Sequence, residues 1–549
     1  MDLVAILGDR WVRTERAYSK VPSRSLPFRP RRGRAFTSHG SRSHTGSRRR
    51  GLGKTLLVSC LLIVVSLSSR GLVSTGTSSF QSHAPIVING NSDFNPNNGV
   101  TGGSGTASDP YVIEGWNITS SGTTAISISN TDASFVIRNV YINHLSGGSG
   151  SPTPYGINMT NVSSGAIDDS RVYNYYDLSI VMNLVSDVVV NNVIAMPSTI
   201  LVTNSTHVEV SYSTAEHIDI EASSDVQVSN NAHNIDISYS TNVTITNNQS
   251  NIPGLKIGVA YSSNITISGN SYACDCVPVI VENSNHVTII GNNFNGNEFD
   301  AVVNLANSDF IDVSDNKISG DSAAGIVLSS CIQATIKGNQ LSPLSDGFAQ
   351  GAAVVEVSGS HLVNISDNTI APSPDMSSNL YRYPYPEPLL KVSLSSNITI
   401  SGNNLSNSTT AVSFVKSSNA TITGNNIQSN TQGLILNNTV NIQIFHNNFL
   451  NNDFQAQDTN STQNIWDNGY PSGGNFWSDY TGVDNCSGPQ QNTCPGPDGI
   501  GDTPYTFNNN QDNYPLMQLF VPDPPAAAPV AQTATSGGGG GGGLHPLHV

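Results

Sequence analysis

Charge is scarce in this chain. Of 549 residues, 11% are charged and 7% are aromatic. Fifteen of the 23 Lys and Arg lie at or before Arg70, where Asp2, Asp9 and Glu15 are the only acids, so beyond that point eight basic residues face 36 acidic ones, a net charge of −28. A body that acidic repels nucleic acid and anionic lipid, and it suits cations or neutral sugars. Soft metal ligands are as thin: past the leader there are five scattered Met, His207, His286 and His446 are each isolated in sequence, and Cys274-Asp-Cys276 is the one close thiol pair. Copper handling would need Met, Cys and His at close spacing, and a surface turn explains the thiol pair as well. The longest apolar run is 13 residues, Thr55 to Leu67. That is too short for a bilayer-spanning helix, which needs roughly 20, so no transmembrane helix is expected in the mature chain.

What the chain has is repetition. Asn242-Val-Thr-Ile-Thr-Asn-Asn248 returns as Asn264-Ile-Thr-Ile-Ser-Gly-Asn270, His286-Val-Thr-Ile-Ile-Gly-Asn292 and Asn397-Ile-Thr-Ile-Ser-Gly-Asn403. The closing Asn recurs at Asn248, Asn270, Asn292, Asn316, Asn339, Asn368, Asn403, Asn425 and Asn447, with spacings of 22, 22, 24, 23, 29, 35, 22 and 22. A period near 22 marks a solenoid. Within each copy apolar and polar residues alternate, as in a strand with one buried face, and the Gly-Asn or Asp-Asn ending suits a sharp corner with a left-handed backbone. A leucine-rich repeat would need Leu-x-x-Leu-x-Leu, which is absent. The expected architecture is all-β: a right-handed parallel β-helix with Ile245, Ile267, Ile289 and Ile400 in one internal column and the Asn residues laddered at a corner. Roughly 16 coils at about 4.8 Å per strand predict a rod some 75 Å long.

In order along the chain, residues 1–79 read as a basic leader and secretory signal, since a basic stretch, an apolar run and small residues follow one another. No Met lies between Met1 and Met159, so the true start of translation is open. Residues 80–116 read as an N-terminal cap and first coil, 117–465 as the parallel β-helix, 466–520 as a C-terminal cap and 521–549 as a Pro- and Gly-rich tail, in which a lost wall or membrane anchor is one hypothesis. Localisation is accordingly expected to be secreted or at the cell surface.

The coils, the opening Gly105-Thr-x-x-Asp109-Pro-Tyr-x-Ile113, and the closing Gly473-Gly-Asn-x-Trp-Ser-Asp-Tyr480 with Asp498-Gly-Ile-Gly-Asp502 resemble the NosD-like right-handed parallel β-helix proteins. These are carbohydrate-binding and sugar-hydrolysis repeat proteins of the pectin-lyase-like fold. The resemblance covers about Ile86 to Leu516. It implies three kinds of activity: surface glycan binding, cleavage or epimerisation of polysaccharides, and help in maturing a copper site. Fold does not by itself transfer any of them.

Four sets of residues are candidates. A hydrolase of this fold would use paired carboxylates, and a lyase Ca²⁺ with an Arg or Lys base; Asp168, Asp169 and Arg171 are the nearest set, although they also fit an ordinary strand and corner. Tyr381, Arg382, Tyr383 and Tyr385, on the longest insertion, could stack on sugar rings, or simply pack on the rod. Asp498, Asp502, Asp479 and Asp484 offer the hard oxygens that Ca²⁺ takes, though capping turns built on Asp look the same. Cys486 and Cys494, eight residues apart in an exported cap, are expected to form a disulfide, leaving Cys331 facing the bore. The reading that follows is an exported β-helix protein that binds a polysaccharide or surface glycan, with no nucleic-acid partner and Ca²⁺ as the one cofactor suggested. A polysaccharide hydrolase or lyase is the enzymatic alternative.

Overall fold

The computed structural model divides the chain into two compact units, Met1–Gly76 and Thr77–Val549. It describes residues 80–145, 154–173, 175, 178–250, 256–274, 277–296, 301–320, 324–343, 353–371 and 388–522, all within the second unit. The expected leader, the insertion carrying Tyr381, Arg382, Tyr383 and Tyr385, Cys276 and most of the Pro- and Gly-rich tail lie outside the described residues.

Each full coil runs through three faces. In one of them Ile257–Ala260 lies on the first face, Ser263–Ser268 on the second and Ser271–Cys274 on the third. Each strand pairs in parallel with its counterpart one coil away, for example Ile257 with Val279, Ile265 with Val287 and Ser271 with Asn293. This stacking is a right-handed parallel β-helix: 34 strands form the sheet that covers the first two faces and ten form the third. No helix among the described residues is long and apolar enough to cross a membrane.

The alternation of residue types places the core. Along the second face Val228, Ile245, Ile267, Ile289, Val313, Ile336, Ile365, Ile400, Ile422 and Ile444 follow one another in register. All of them are fully buried. A strand this short buries only one side, so neighbouring coils complete its core. Between Thr206 and Thr246 the coils shrink to 17–18 residues because they have no strand on the third face: Thr214–Glu221 and Ala232–Ser238 alternate with Ser224–Ser229 and Thr241–Thr246.

Two polar columns close the corners. Between the second and third faces Asn248 Oδ1 accepts from Asn231 N at 2.9 Å, Asn270 Oδ1 from Asn248 N at 2.9 Å, and the relay continues through Asn292, Asn316, Asn339, Asn368, Asn403, Asn425 and Asn447 to Asn475. Each Asn Nδ2 also donates to an inner carbonyl, such as Asn316 Nδ2 to Ile289 O at 2.8 Å. These amides are buried yet fully bonded, as a buried polar group must be. The left-handed residue is the one before the amide, with φ of 54° at Asn247, 62° at Gly269 and 52° at Asp315. Between the first and second faces a serine column does the same work, with Ser205, Ser223, Ser240, Ser262 and Ser284 each accepting from the backbone N of the preceding corner at 3.0–3.1 Å. Cys331 stands in this column, its N donating to Ser360 Oγ at 3.0 Å.

The last coil is covered by aromatic rings. Trp477 stacks on Phe449 and on Tyr505, with centroids 4.3 Å away in each case. Asp512, on the antiparallel pair Tyr505–Phe507 and Asn510–Asp512, ends the Asn relay. Its carboxylate accepts from Asn475 N at 2.7 Å, Trp477 Nε1 at 2.9 Å and Tyr514 N at 3.0 Å. At the other end Phe94 stacks on Tyr111 at 4.6 Å.

Candidate functional site

The stack turns sequence distance into proximity. Residues on one strand that face solvent are two apart, while the same position one coil later lies beside them. On the first face Asp219 of Thr214–Glu221 pairs in register with Asp236 of Ala232–Ser238, and Asp236 with Gly258 of the next coil. His217 lies two residues before Asp219, and Lys256 just before Ile257–Ala260. The result is a cluster on the outer surface of the first face. His217 Nδ1 lies 3.6 Å from Asp236 Oδ2, and Lys256 Nζ 3.6 Å from Asp236 Oδ1. One donor atom each of His217, Asp219 and Asp236 falls within 4.8 Å of the others. Lys256 is fixed at its backbone, where its N donates to Asn234 Oδ1 at 2.8 Å. Gly258 keeps the approach open, since a Cβ there would collide with the Asp236 carboxylate.

The two carboxyls sit in different surroundings. Burial, and then the charge of Asp236, push Asp219 up to about 6. Its Oδ1 is buried without a hydrogen-bond partner, which is a reason for that carboxyl to hold a proton or to await a donor from outside. Asp236 lies between the Lys256 ammonium and the His217 imidazole, each 3.6 Å away. His217 is raised above its ordinary value, first by Asp236 and, against burial, by the charges of Asp219 and Glu216. Two close carboxyls, one of them pushed up by burial, can serve general acid–base chemistry, and their oxygens also accept sugar hydroxyls. As a metal site the same set offers one imidazole and two carboxylates with no sulfur. Those donors suit a borderline or hard divalent ion and not Cu(I), and the Lys256 ammonium already faces Asp236.

The residues singled out from the sequence are placed otherwise. Asp168 accepts from Asn191 Nδ2 at 2.7 Å, and Asp169 accepts from Asn192 Nδ2 at a corner where its own φ is 45°. Arg171 is exposed on Arg171–Tyr173 and makes no ion pair among the described residues, so this triplet is arranged as a strand and corner. Asp484 accepts from Asp498 N and Gly499 N, and Asp502 from Asn485 N and Cys486 N. Asp479 accepts from Tyr505 Oη, and Asp498 from Ile500 N. These four carboxylates are spent on local donors and are not gathered around one point. Cys486 and Cys494 are joined as a disulfide, and Cys331 is buried and free. The cluster at His217, Asp219, Asp236 and Lys256 escapes sequence reading because its members come from neighbouring coils with weak repeat signatures. The signal that could have found it is the 17-residue offset shared by Asp219 with Asp236 and Val226 with Val243.

Residues 218–381 and 387–482 match the family described as periplasmic copper-binding protein (NosD). The matched residues are just under half of the chain and lie on the stacked parallel strands, so the chain is a right-handed parallel β-helix that is similar to the NosD family over that stretch. No curated protein sequence matches it. Among solved structures it is similar to tailspike protein 3 of bacteriophage CBA120, at 11% identity over 68% of this chain and 60% of that one, with a TM-score of 0.28. It is similar to PfbA, a surface adhesin of Streptococcus pneumoniae, at 14% identity over 61% and 81%, with a TM-score of 0.28. A third similar structure is the periplasmic alginate epimerase AlgG, at 10% identity over 65% and 85%, with a TM-score of 0.30.

Proposed function

We propose that this NosD-like protein acts outside the cytoplasm as a polysaccharide-binding protein, holding the glycan against the outer surface of the first face at Asp219, Asp236, His217 and Lys256. The observation that carries the reading is the buried, unpartnered Oδ1 of Asp219 beside a half-buried, ion-paired Asp236, an acceptor pair of the kind that takes sugar hydroxyls. The Cys486–Cys494 disulfide and the order of the leader favour an oxidising compartment, as does the periplasmic description of the matched family. Affinity electrophoresis in gels containing neutral and acidic polysaccharides tests it. Retardation in at least one gel, weakened about tenfold or more by Asp236→Asn, is the expected result, and free migration in every gel overturns it.

A second reading, hydrolysis of the bound glycan, is favoured by the closeness of the two carboxyls and the burial of one of them. Asp219, pushed up to about 6, would protonate the leaving oxygen, while Asp236, beside the Lys256 ammonium, would act as nucleophile or base. Their closeness, within 4.8 Å, suits direct attack better than a water held between two distant carboxyls. New reducing ends without unsaturated products would support it, with a rate that falls as pH rises above about 6 and drops about 10²–10⁴-fold in Asp219→Asn. Unsaturated products would mean elimination instead.

A further inference from the structure

One corner of the coil departs from the rule that the next one keeps. Where the second face turns into the third, the left-handed position holds Asn247, Gly269, Gly291, Asp315, Gly338 and Asp367, residue types that tolerate positive φ. Where the first face turns into the second, two positions per coil have positive φ. They are the residue just before the inward Ser or Cys and the second residue after it, and in four successive coils one of the two is Asn: Asn242 and Asn264 after the Ser, Asn283 and Asn307 before it. The bulky members are divided between the two positions, Tyr239, Tyr261 and Leu394 in the first and His286, Phe310 and Leu362 in the second, with φ between 51° and 57°. Bulky side chains are rare in that conformation. They are not there to fill the core: Tyr239 is 63% exposed, Tyr261 55%, Phe310 46%, Leu362 47% and Leu394 65%. In the one intervening coil Ser330 and Gln333 hold the positive φ, and Ile332 between them, 47% exposed, supplies the apolar side chain.

Seven consecutive coils, counted by Ser240, Ser262, Ser284, Ser308, Cys331, Ser360 and Ser395, thus each hold out one ring or aliphatic side chain at the same corner. Neighbouring rings lie flat on one another, Tyr239 on Tyr261 at 5.1 Å and 5°, and His286 on Phe310 at 4.6 Å and 14°. Six steps of about 4.8 Å make a seam about 29 Å long. Between its apolar members lie only amides, hydroxyls, the Cys331 thiol, His361 and Asp309; these seven corners hold no Lys or Arg, and Lys416 follows in the next coil.

That surface selects its partner by chemistry. An anionic polymer or lipid headgroup finds no cation along it, in a body already acidic. The flanking Asn242, Asn264 and Asn397 already bond Asp225, Asn242 and His361 through Nδ2, and a purely aliphatic partner would leave their remaining hydrogen-bonding capacity unused. A sugar ring has an apolar face of C–H bonds and an edge of hydroxyls, so it can use both. We propose that the seam is the track of a neutral polysaccharide laid along the coil axis, with successive sugar rings packed on the exposed side chains from Tyr239 to Leu394 and their hydroxyls bonded by the Asn amides beside them. The inference rests on the reading that the protein binds polysaccharide, and it adds the class and direction of the chain. Asp236 lies three residues before Tyr239, about 10 Å along an extended strand, so one end of the track reaches the carboxylate cluster.

The test uses the full chain and three variants: Tyr239→Ser with Tyr261→Ser, Phe310→Asn, and Leu362→Asn with Leu394→Asn. Asn is at ease at positive φ, so the last two are expected to fold at least as well as the parent, which far-UV circular dichroism and Tm check. Affinity is measured by calorimetry for whichever polysaccharide of a β-glucan, mannan and alginate panel binds best, and for its oligosaccharides of increasing length. The expected results are preference for a neutral polymer, affinity rising with oligosaccharide length, and about tenfold loss for each aromatic ring removed. Binding by the parent with equal affinity in all variants overturns the track and leaves the polysaccharide reading standing. No binding to any polymer overturns both. If the variants instead lose retention by phosphatidylcholine vesicles, or change sedimentation from dimer to monomer, the seam is a lipid or self-association surface and the track is overturned.

Discussion

At the scale of single residues, two buried groups show how position in the stack sets chemistry. Cys331 occupies a place that serine fills in the neighbouring coils, and its thiol points to Leu305 O at 3.5 Å and Ser329 O at 3.6 Å, where Ser360 Oγ reaches the equivalent Ser358 O at 3.0 Å. A thiol is the weaker donor, so Cys331→Ser is expected to leave stability unchanged or raise it by up to about 1 kcal/mol, read from the urea midpoint. A loss above about 1 kcal/mol would mean that the site needs the volume of sulfur. Burial also pushes the thiol up, so a thiol reagent should label Cys331 only after unfolding. Asp219 is the opposite case, a carboxyl that the fold makes harder to ionise. Its folded value of about 6 lies above the ordinary 3.8, so the folded chain holds the proton more tightly. The group costs nothing below about pH 4, costs progressively more between about 4 and 6, and carries its full penalty above. Asp219→Asn is therefore expected to stabilise the protein by of order 2 kcal/mol at pH 7.5 and by little at pH 4, in denaturant titrations at the two pH values. Equal effects at both would show that charge is not the cause.

At the scale of the coil, the Asn relay is the element that turns a repeat into a rigid stack. Asn316 Oδ1 accepts from Asn292 N and Nδ2 at 2.9 Å each, while its own Nδ2 donates to Ile289 O at 2.8 Å and Asn339 Oδ1 at 3.0 Å. Asn316→Ala leaves Asn292 without an acceptor in a buried corner and is expected to cost about 3 kcal/mol, whereas Asn441→Ala, whose Nδ2 only bridges to exposed Asn419, should cost less than about 0.5 kcal/mol. Similar midpoints for the two variants would remove the relay from the account of stability. This relay and the isoleucine column were legible in the sequence because each recurs as one residue type at one spacing. The serine column was not, since serine is common throughout and its corner lies just outside the repeating phrase. The carboxylate cluster was hidden for a geometric reason. Asp168 and Asp169 adjoin in sequence, yet the structure turns one outward from a strand and bends the chain at the other. Asp219 and Asp236, 17 residues apart, share a surface because a short coil with no third face separates them.

At the scale of the stack within Thr77–Val549, coils touch only their neighbours, so stability spreads in one dimension and an end can loosen without the middle. The C-terminal end is sealed by Asp512, which burial pushes up to about 7 despite its bonds from Asn475, Trp477 and Tyr514. A carboxyl raised from 3.8 to about 7 contributes no penalty at acid pH and a growing one between those values, complete above about 7. The cap should therefore be tightest in mildly acid solution and should loosen as pH rises from 5 to 8. The strands that would feel it are Asn448–Leu450 and Phe476–Trp477, which share the Trp477 and Asn475 contacts, and not Asn285–Ile290 in the middle of the stack. Native-state hydrogen exchange, corrected for the intrinsic effect of pH, is expected to show protection falling with pH in the first two and constant in the third. In Asp512→Asn the group no longer titrates, and the dependence at the end should vanish. If protection instead falls equally along the stack, or the slope survives in Asp512→Asn, the pH response belongs to the acidic surface as a whole and not to the carboxyl that ends the relay.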